Sequence, residues 1–83
     1  MQILLTFGDT RNAINAEKKL AGHNIPISVM PLPTQLGAGC GLSLRLDESK
    51  LVEALTILAA AGIQVEKPYS IKQGDRGVSY EAL

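Results

Sequence analysis

The stretch that decides the fold is residues 42–46, LSLRL, in which apolar and polar side chains alternate with a strict period of two. Such alternation is typical of a β-strand that packs one face against a core. In the segment that follows, leucines recur at helical spacing up to Gly62. Asp47 or Ser49 can cap that helix, and the glycine can end it. The middle of the chain therefore predicts a strand followed by a helix.

The beginning of the chain predicts a second strand and helix pair. Residues 1–7, MQILLTF, are apolar enough for a buried strand. A helix is expected over residues 10–21, with Asp9 or Thr10 at its amino end and Gly22 just after its carboxyl end. The two halves of the chain thus share the same order of elements.

Two further strands complete the expected sheet. In residues 25–30, alternate apolar side chains surround Pro26, which a central strand would not tolerate, so this segment is expected at an edge. Residues 63–66 resume the alternation before Pro68, and we predict the fourth strand there. The prolines place the second and fourth strands at the two edges.

The resulting order is βαββαβ, which predicts an α+β fold of the ferredoxin-like type. This is a two-layer sandwich with an antiparallel sheet of order 4-1-3-2 and two helices on one face. Residues 1–72 are expected to form a single domain. Residues 73–77 carry turn chemistry, so residues 73–83 are expected to be a tail or a short hairpin arm.

The composition narrows the class of protein. The chain has 83 residues and one cysteine, which excludes an intrachain disulfide framework and favours a reducing cytoplasm. Its 8 basic and 8 acidic residues cancel, so neither a nucleic acid nor an anionic membrane is an expected partner. The amino terminus lacks the basic region of a signal peptide, and its apolar stretch is too short to span a membrane.

The only cysteine, Cys40, lies in a segment of small residues, GAGCG, at positions 37–41. Glycines such as Gly39 and Gly41 leave the sulfur unscreened, so we predict an accessible, reactive thiol. A metal site is not expected, because zinc and copper sites use several cysteine or histidine ligands and His23 stands alone. No cofactor is predicted.

The expected topology places the thiol loop at the same end of the sheet as the first helix's amino terminus. Free amides there carry partial positive charge, and Arg11 adds a full one. Thr10 and Arg11 are therefore candidate groups for stabilising a thiolate. Asp9 opposes this effect unless its carboxylate turns inward to cap the helix.

A resemblance sharpens this interpretation. The motif MPLP at residues 30–33, followed by GCGLSLR at residues 39–45, resembles a family of small bacterial selenium/sulfur carrier-like proteins. The helix motif AEKKL at residues 16–20 and the turn at residues 24–26 are also similar, and the resemblance covers about residues 2–69. It implies that Cys40, with Gly39, Gly41 and Leu42 around it, holds a persulfide or selenide. The implied partners are sulfur or selenium donor and acceptor proteins, such as a cysteine desulfurase.

The preferred hypothesis is a carrier with a reactive thiol rather than a stand-alone enzyme. The alternative is a regulatory module of βαββαβ type, in which residues 8–10 hold a small anion or carboxylate and the cysteine is structural. RNA binding is disfavoured, because the third strand offers Ser43 and Arg45 where base stacking needs aromatic residues. If Leu4 and Met30 are exposed on the open sheet face, they would form a patch for docking or for a homodimer.

Overall fold

The computed structural model describes residues 1–36 and 41–83. The strands are β1 (Gln2–Thr6), β2 (Ser28–Pro31), β3 (Leu42–Asp47), β4 (Lys67–Gly74) and β5 (Gly77–Ala82). The α-helices are α1 (Thr10–Gly22) and α2 (Leu51–Ala60), and short 3₁₀ helices occupy Thr34–Leu36 and Glu48–Lys50. Neither α-helix in this part of the chain has the length and apolarity needed to cross a membrane.

The strands form one antiparallel sheet in the order β2-β3-β1-β4-β5. The predicted α+β class is confirmed. The first four strands keep the neighbours expected from the order 4-1-3-2, but the sheet continues past β4. The exact four-stranded ferredoxin-like order is therefore not matched, and β4 is an internal strand rather than the predicted edge.

The predicted position of the fourth strand is wrong. Residues 63–66 form no strand: Ile63 N donates to Leu58 O of α2 at 2.9 Å, after Gly62 at a φ of 73°, and the segment reaches β1 at its last residue, where Glu66 N donates to Thr6 O at 2.8 Å. Val65 packs against the core without pairing with a neighbouring strand. β4 begins only at Lys67, and Pro68 lies near its start, where a strand tolerates the missing N–H.

The end of the chain forms β5, which pairs along most of β4 through a hairpin. Gly74 lies opposite Gly77, and Leu83 N donates to Pro68 O at 3.1 Å. Residues 73–83 include the turn and the second strand of this hairpin. The division of the chain into a domain of residues 1–72 and an arm stays a prediction.

The core lies between the sheet and the two helices. Ile3 and Leu5 of β1 lie opposite Leu46 and Leu44 of β3, so these four side chains share one face of the sheet. They cluster with the buried residues of both helices, so both helices cover this face. The buried helical residues are Ala13, Ala16 and Leu20 of α1, and Ala54 and Leu58 of α2.

The amino ends of the helices follow the capping residues predicted from sequence, but Gly22, expected just after α1, is its last residue, and the left-handed residue beyond it is Asn24 with a φ of 60°. Asp9 caps α1, since its Oδ1 accepts from Asn12 N at 2.7 Å. Asp47 accepts from Ser49 N at 2.9 Å, but this cap begins the 3₁₀ helix that leads into α2. The second helix therefore starts one short turn later than its cap suggests.

Candidate functional site

The strand register determines which segments lie at the same end of the sheet. The last residue of β1, Thr6, lies opposite Ser43 of β3 and Lys67 of β4. Pro31, the last residue of β2, lies opposite Leu42, the first residue of β3. The β2–β3 connection therefore starts and ends at the sheet end where β1 runs toward α1. This is the arrangement that the sequence predicted for the thiol loop and the helix.

Both ends of the β2–β3 connection are held by hydrogen bonds. Leu32 N donates to Gly41 O at 2.9 Å, which closes the base of the connection. Ser43 is fully buried, and its hydroxyl donates toward Met30 O at 3.3 Å and Pro31 O at 3.4 Å. These contacts join the end of β2 to the start of β3. The connection thus leaves the sheet from a fixed base.

Of the predicted thiol-loop residues, Gly41 and Leu42 belong to the described part of the chain, whereas Gly39 and Cys40 lie outside it. Gly41 has a φ of +84°, which disfavours any residue with a Cβ, and a Cβ built there has no described atom within 4 Å beyond its chain neighbours. Leu42 is half-buried and packs against the core. An exposed left-handed glycine and a core-anchored leucine therefore follow the cysteine directly.

The amino terminus of α1 brings a cation, Arg11, to this end of the sheet, where Lys67 of β4 also lies. Arg11 is exposed, and the ion pairs within residues 1–36 and 41–83 do not include it. Thr10 begins the helix and is also exposed. The Asp9 carboxylate is turned to the helix, where it accepts from Asn12 N. The inward orientation that the thiolate argument requires of Asp9 is therefore present.

A shallow groove of about 300 Å³ lies beside the start of α1. Its lining residues include two acids, Asp9 and Glu66. The Glu66 carboxylate lies close to Gly8, since a Cβ built on that glycine would be 3.5 Å from Glu66 Oε2. An anion held by residues 8–10 would lie near the Glu66 carboxylate and would compete with Asp9 for the amides at the start of the helix. The geometry therefore does not favour the alternative of an anion-binding regulatory module.

The described residues offer no metal site. They contain no group of three or more histidine, cysteine, aspartate or glutamate side chains placed to hold a metal ion. His23, which the sequence left as a lone candidate, lies at the carboxyl end of α1. In the sequence, His23 is distant from the thiol loop. A histidine at the carboxyl end of a helix can interact favourably with the helix dipole.

The face of the sheet opposite the helices differs from the sequence expectation. Leu4 lies on this face but is fully buried, and Met30 is half-buried, so they do not form the exposed patch considered from sequence. Leu4 lies opposite Arg45 of β3 and Tyr69 of β4. Tyr80 of β5 lies on the same face, opposite Ile71. Sequence reasoning missed these tyrosines because it ended the fourth strand before Pro68, although alternation continues through both strands of the hairpin.

Together, these observations define a small α+β protein with an open sheet, whose single cysteine falls in the sequence between β2 and β3. A family model described as "Putative Se/S carrier protein-like" matches residues 2–70. The chain belongs to this family, and the resemblance drawn from residues 30–33 and 39–45 is confirmed. The match includes Cys40 and ends within β4, so β5 lies beyond it. No curated protein and no solved structure matches the chain.

Proposed function

We propose that this protein carries sulfur or selenium on Cys40, as a persulfide or selenide, and passes it from a donor protein to an acceptor protein. The observation that carries the proposal is the family match over residues 2–70, which includes the only cysteine of the chain. A carrier family implies donor or acceptor partners in general. A cysteine desulfurase is the donor that we propose, because it forms a persulfide on its own cysteine.

The proposed loading step is a thiol exchange with no net oxidation. The Cys40 thiolate attacks the outer sulfur of the donor persulfide, and the sulfur–sulfur bond of the donor breaks. The new bond joins Cys40 Sγ to that outer sulfur, which keeps its proton, and the donor leaves as a thiolate. A donor with an outer selenium reacts in the same way. Unloading repeats the exchange with the acceptor thiolate as the attacking group.

A single thiol suits a carrier. A second cysteine would attack the loaded one, form a disulfide and release the cargo before an acceptor arrived. The chain has no second cysteine, so the persulfide persists until another protein or a small thiol meets it. This chemistry makes the protein a stoichiometric partner of other enzymes rather than a stand-alone enzyme.

Two groups of residues assist the thiolate in this proposal. Thr10 and Arg11 begin α1, where the helix dipole and the guanidinium favour a nearby negative charge. Asp9 caps the helix, so its carboxylate is turned toward Asn12 N. Gly39 and Gly41 leave room for the donor's sulfur, and Leu42 anchors the loop to the core.

The loading step is tested by incubating the protein with a cysteine desulfurase and cysteine, then measuring its intact mass. The wild type is expected to gain the mass of one sulfur atom and to lose it on mild reduction. Cys40→Ala is the matched control, because it removes the only thiol and is expected to gain nothing. Absence of a mass gain in the wild type, with desulfurases that do load other thiols, contradicts the proposal.

The electrostatic part is tested by the pH dependence of Cys40 alkylation. Arg11→Gln is expected to move the inflection of the rate to higher pH, because a cation at the thiolate end of the sheet is lost. Arg76→Gln is the matched control: the same charge is removed in the β4–β5 turn, at the opposite end of the sheet. If the alkylation rates of the two variants have their inflections at the same pH, Arg11 does not stabilise the thiolate. That result would not bear on the proposed sulfur transfer.

A further inference from the structure

One edge of the sheet presents an unused row of backbone hydrogen-bonding groups. β5 pairs with β4 and with no other strand of the described residues. Leu83 N donates to Pro68 O, and hydrogen-bonded and non-hydrogen-bonded pairs alternate along an antiparallel ladder. The backbone N–H and C=O groups of Val78, Tyr80 and Ala82 therefore point away from β4, out of the sheet.

The opposite edge, formed by β2, is protected in the way natural edges are. Leu32 N donates to Gly41 O at 2.9 Å, so the same alternation turns Pro31 outward. Proline has no N–H, and its ring discourages an added strand. β5 contains no proline, and its one charged residue, Glu81, is bound to Lys72 at 2.7 Å. The β5 edge is thus the one that remains open to another strand.

We propose that this edge binds the same edge of a second copy of the chain, with the two β5 strands antiparallel and Tyr80 opposite its own counterpart. In this register, Val78 lies opposite Ala82 of the second copy, and every outward N–H and C=O of the three residues finds a partner. A register centred on Ser79 or Glu81 instead places Ala82 or Val78 opposite residues outside β5. The spacing of the outward groups is therefore self-complementary about Tyr80.

Side chains and charge agree with this pairing. The two copies of Tyr80 meet as a cross-strand aromatic pair on the open face, flanked by Val78 and Ala82. Glu81 lies opposite the uncharged Ser79 of the second copy rather than opposite another glutamate. The formal net charge of the chain is +0, so two copies do not repel each other through their overall charge.

The dimer adds a contact that the carrier function does not require, and it leaves the thiol site free. β5 is separated from β3 by β1 and β4, so the docking edge is remote from the β2–β3 connection. An antiparallel pair directs the two connections to opposite ends of a continuous sheet. Pairing six-residue strands buries little area compared with the roughly 1,200–2,000 Å² of stable interfaces, so the dimer is weak and concentration-dependent.

The test is sedimentation equilibrium from about ten micromolar to about one millimolar, the range of weak association. The wild-type mass is expected to rise from one chain toward two. Tyr80→Pro removes the central outward N–H and is expected to weaken dimerisation at least tenfold. Tyr80→Thr keeps this N–H but loses the aromatic pair, so it is expected to weaken dimerisation less than Tyr80→Pro does. Val29→Thr, on the protected β2 edge, is expected to behave as the wild type.

A second measurement keeps the proposal testable if Tyr80→Pro fails to fold. In the wild type, hydrogen exchange at the amides of Val78, Tyr80 and Ala82 is expected to slow as concentration rises, while exchange at Val29 stays constant. A wild-type mass of one chain throughout the range overturns the proposal. So does protection at β2 instead of β5, or a folded Tyr80→Pro variant that dimerises as the wild type does.

Discussion

Gly41→Ala isolates the contribution of the left-handed backbone next to Cys40. A Cβ built on Gly41 meets no atom of residues 1–36 and 41–83 within 4 Å beyond its chain neighbours, so the substitution introduces no clash with these residues. The φ of +84° is what alanine disfavours, and holding a non-glycine residue in such a region costs about 1–3 kcal/mol. The free energy of unfolding is therefore expected to fall by that amount.

Gly22→Ala is the matched control for this prediction. It makes the same chemical change at another glycine with open space around it, but Gly22 is the last residue of α1 and has no positive φ. Alanine there is expected to stabilise the protein by about 0.4–1 kcal/mol, because it restricts the unfolded chain. The two variants should therefore differ by about 1.4–4 kcal/mol, against a total of roughly 4–12 kcal/mol for a domain of this size.

The assay is urea unfolding of both variants beside the wild type, with the free energies of unfolding compared at equal slope. Sulfur loading by the desulfurase is measured on the same samples at a temperature where all three are folded. Slower loading of Gly41→Ala, with unchanged loading of Gly22→Ala, is expected if the turn at Gly41 presents the thiol. Equal changes in stability for the two variants would refute the role assigned to the left-handed backbone.

Three further changes probe the frame around the site. Ser43→Ala removes the buried hydroxyl that donates to Met30 O and Pro31 O, and urea unfolding should show a loss of about 0.5–1.5 kcal/mol. Thr6→Val removes the hydroxyl that donates to Lys67 O and accepts from Lys67 N, so about 1–3 kcal/mol is expected to be lost, while Thr6→Ser should retain most of it. Hydrogen bonds from the side chain and then the backbone amide of Ser49 lower the pKa of Asp47, so this carboxylate stabilises the fold above its unfolded pKa of about 3.9. That contribution is lost as pH falls through the lower folded pKa, and the gap in urea midpoint between wild type and Asp47→Asn should shrink below about pH 4. A gap that stays constant down to pH 2 would contradict the assigned hydrogen bonds.

The parts of the fold that the sequence predicted well are those with a strong local period and clear end signals. The alternation of residues 42–46 and the glycines near the end of each helix were sufficient to place β3, α1 and α2 closely, although Gly22 is the last residue of α1 rather than the residue after it. The fourth strand was misplaced because alternation reports only which side chains are buried. Ile63 and Val65 satisfy that pattern by packing against the core, although their backbone does not pair with a neighbouring strand.

The hairpin shows a second limit. Residues 73–77 predicted a turn, but a turn signal alone does not reveal whether the segment after it pairs with the segment before it. Once β4 is placed at Lys67–Gly74, with Pro68 near its start, Tyr69 and Ile71 lie opposite Ala82 and Tyr80 on one face of the hairpin. The extra strand also moved one edge of the sheet from β4 to β5.

For the candidate site, chain topology was predictable and side-chain orientation was not. The strand order alone placed the β2–β3 connection and the start of α1 at one end of the sheet. Whether the Asp9 carboxylate destabilises a nearby thiolate depends on its hydrogen bond of 2.7 Å from Asn12 N, which the sequence alone does not reveal. The Glu66 carboxylate lies beside Gly8 and argues against an anion site there. Its position could likewise not be inferred from the spacing of residues in the sequence.

Labelled sulfur shows whether Cys40 holds a chalcogen that it can pass to another thiol. Protein loaded from labelled cysteine by a desulfurase is isolated, digested and then, in a parallel sample, mixed with an acceptor thiol. The label is expected on the peptide that contains Cys40, and it is expected to move to the acceptor as that peptide loses it. Label on other peptides, label retained by Cys40→Ala, or a loaded thiol that gives nothing to any acceptor would contradict this expectation.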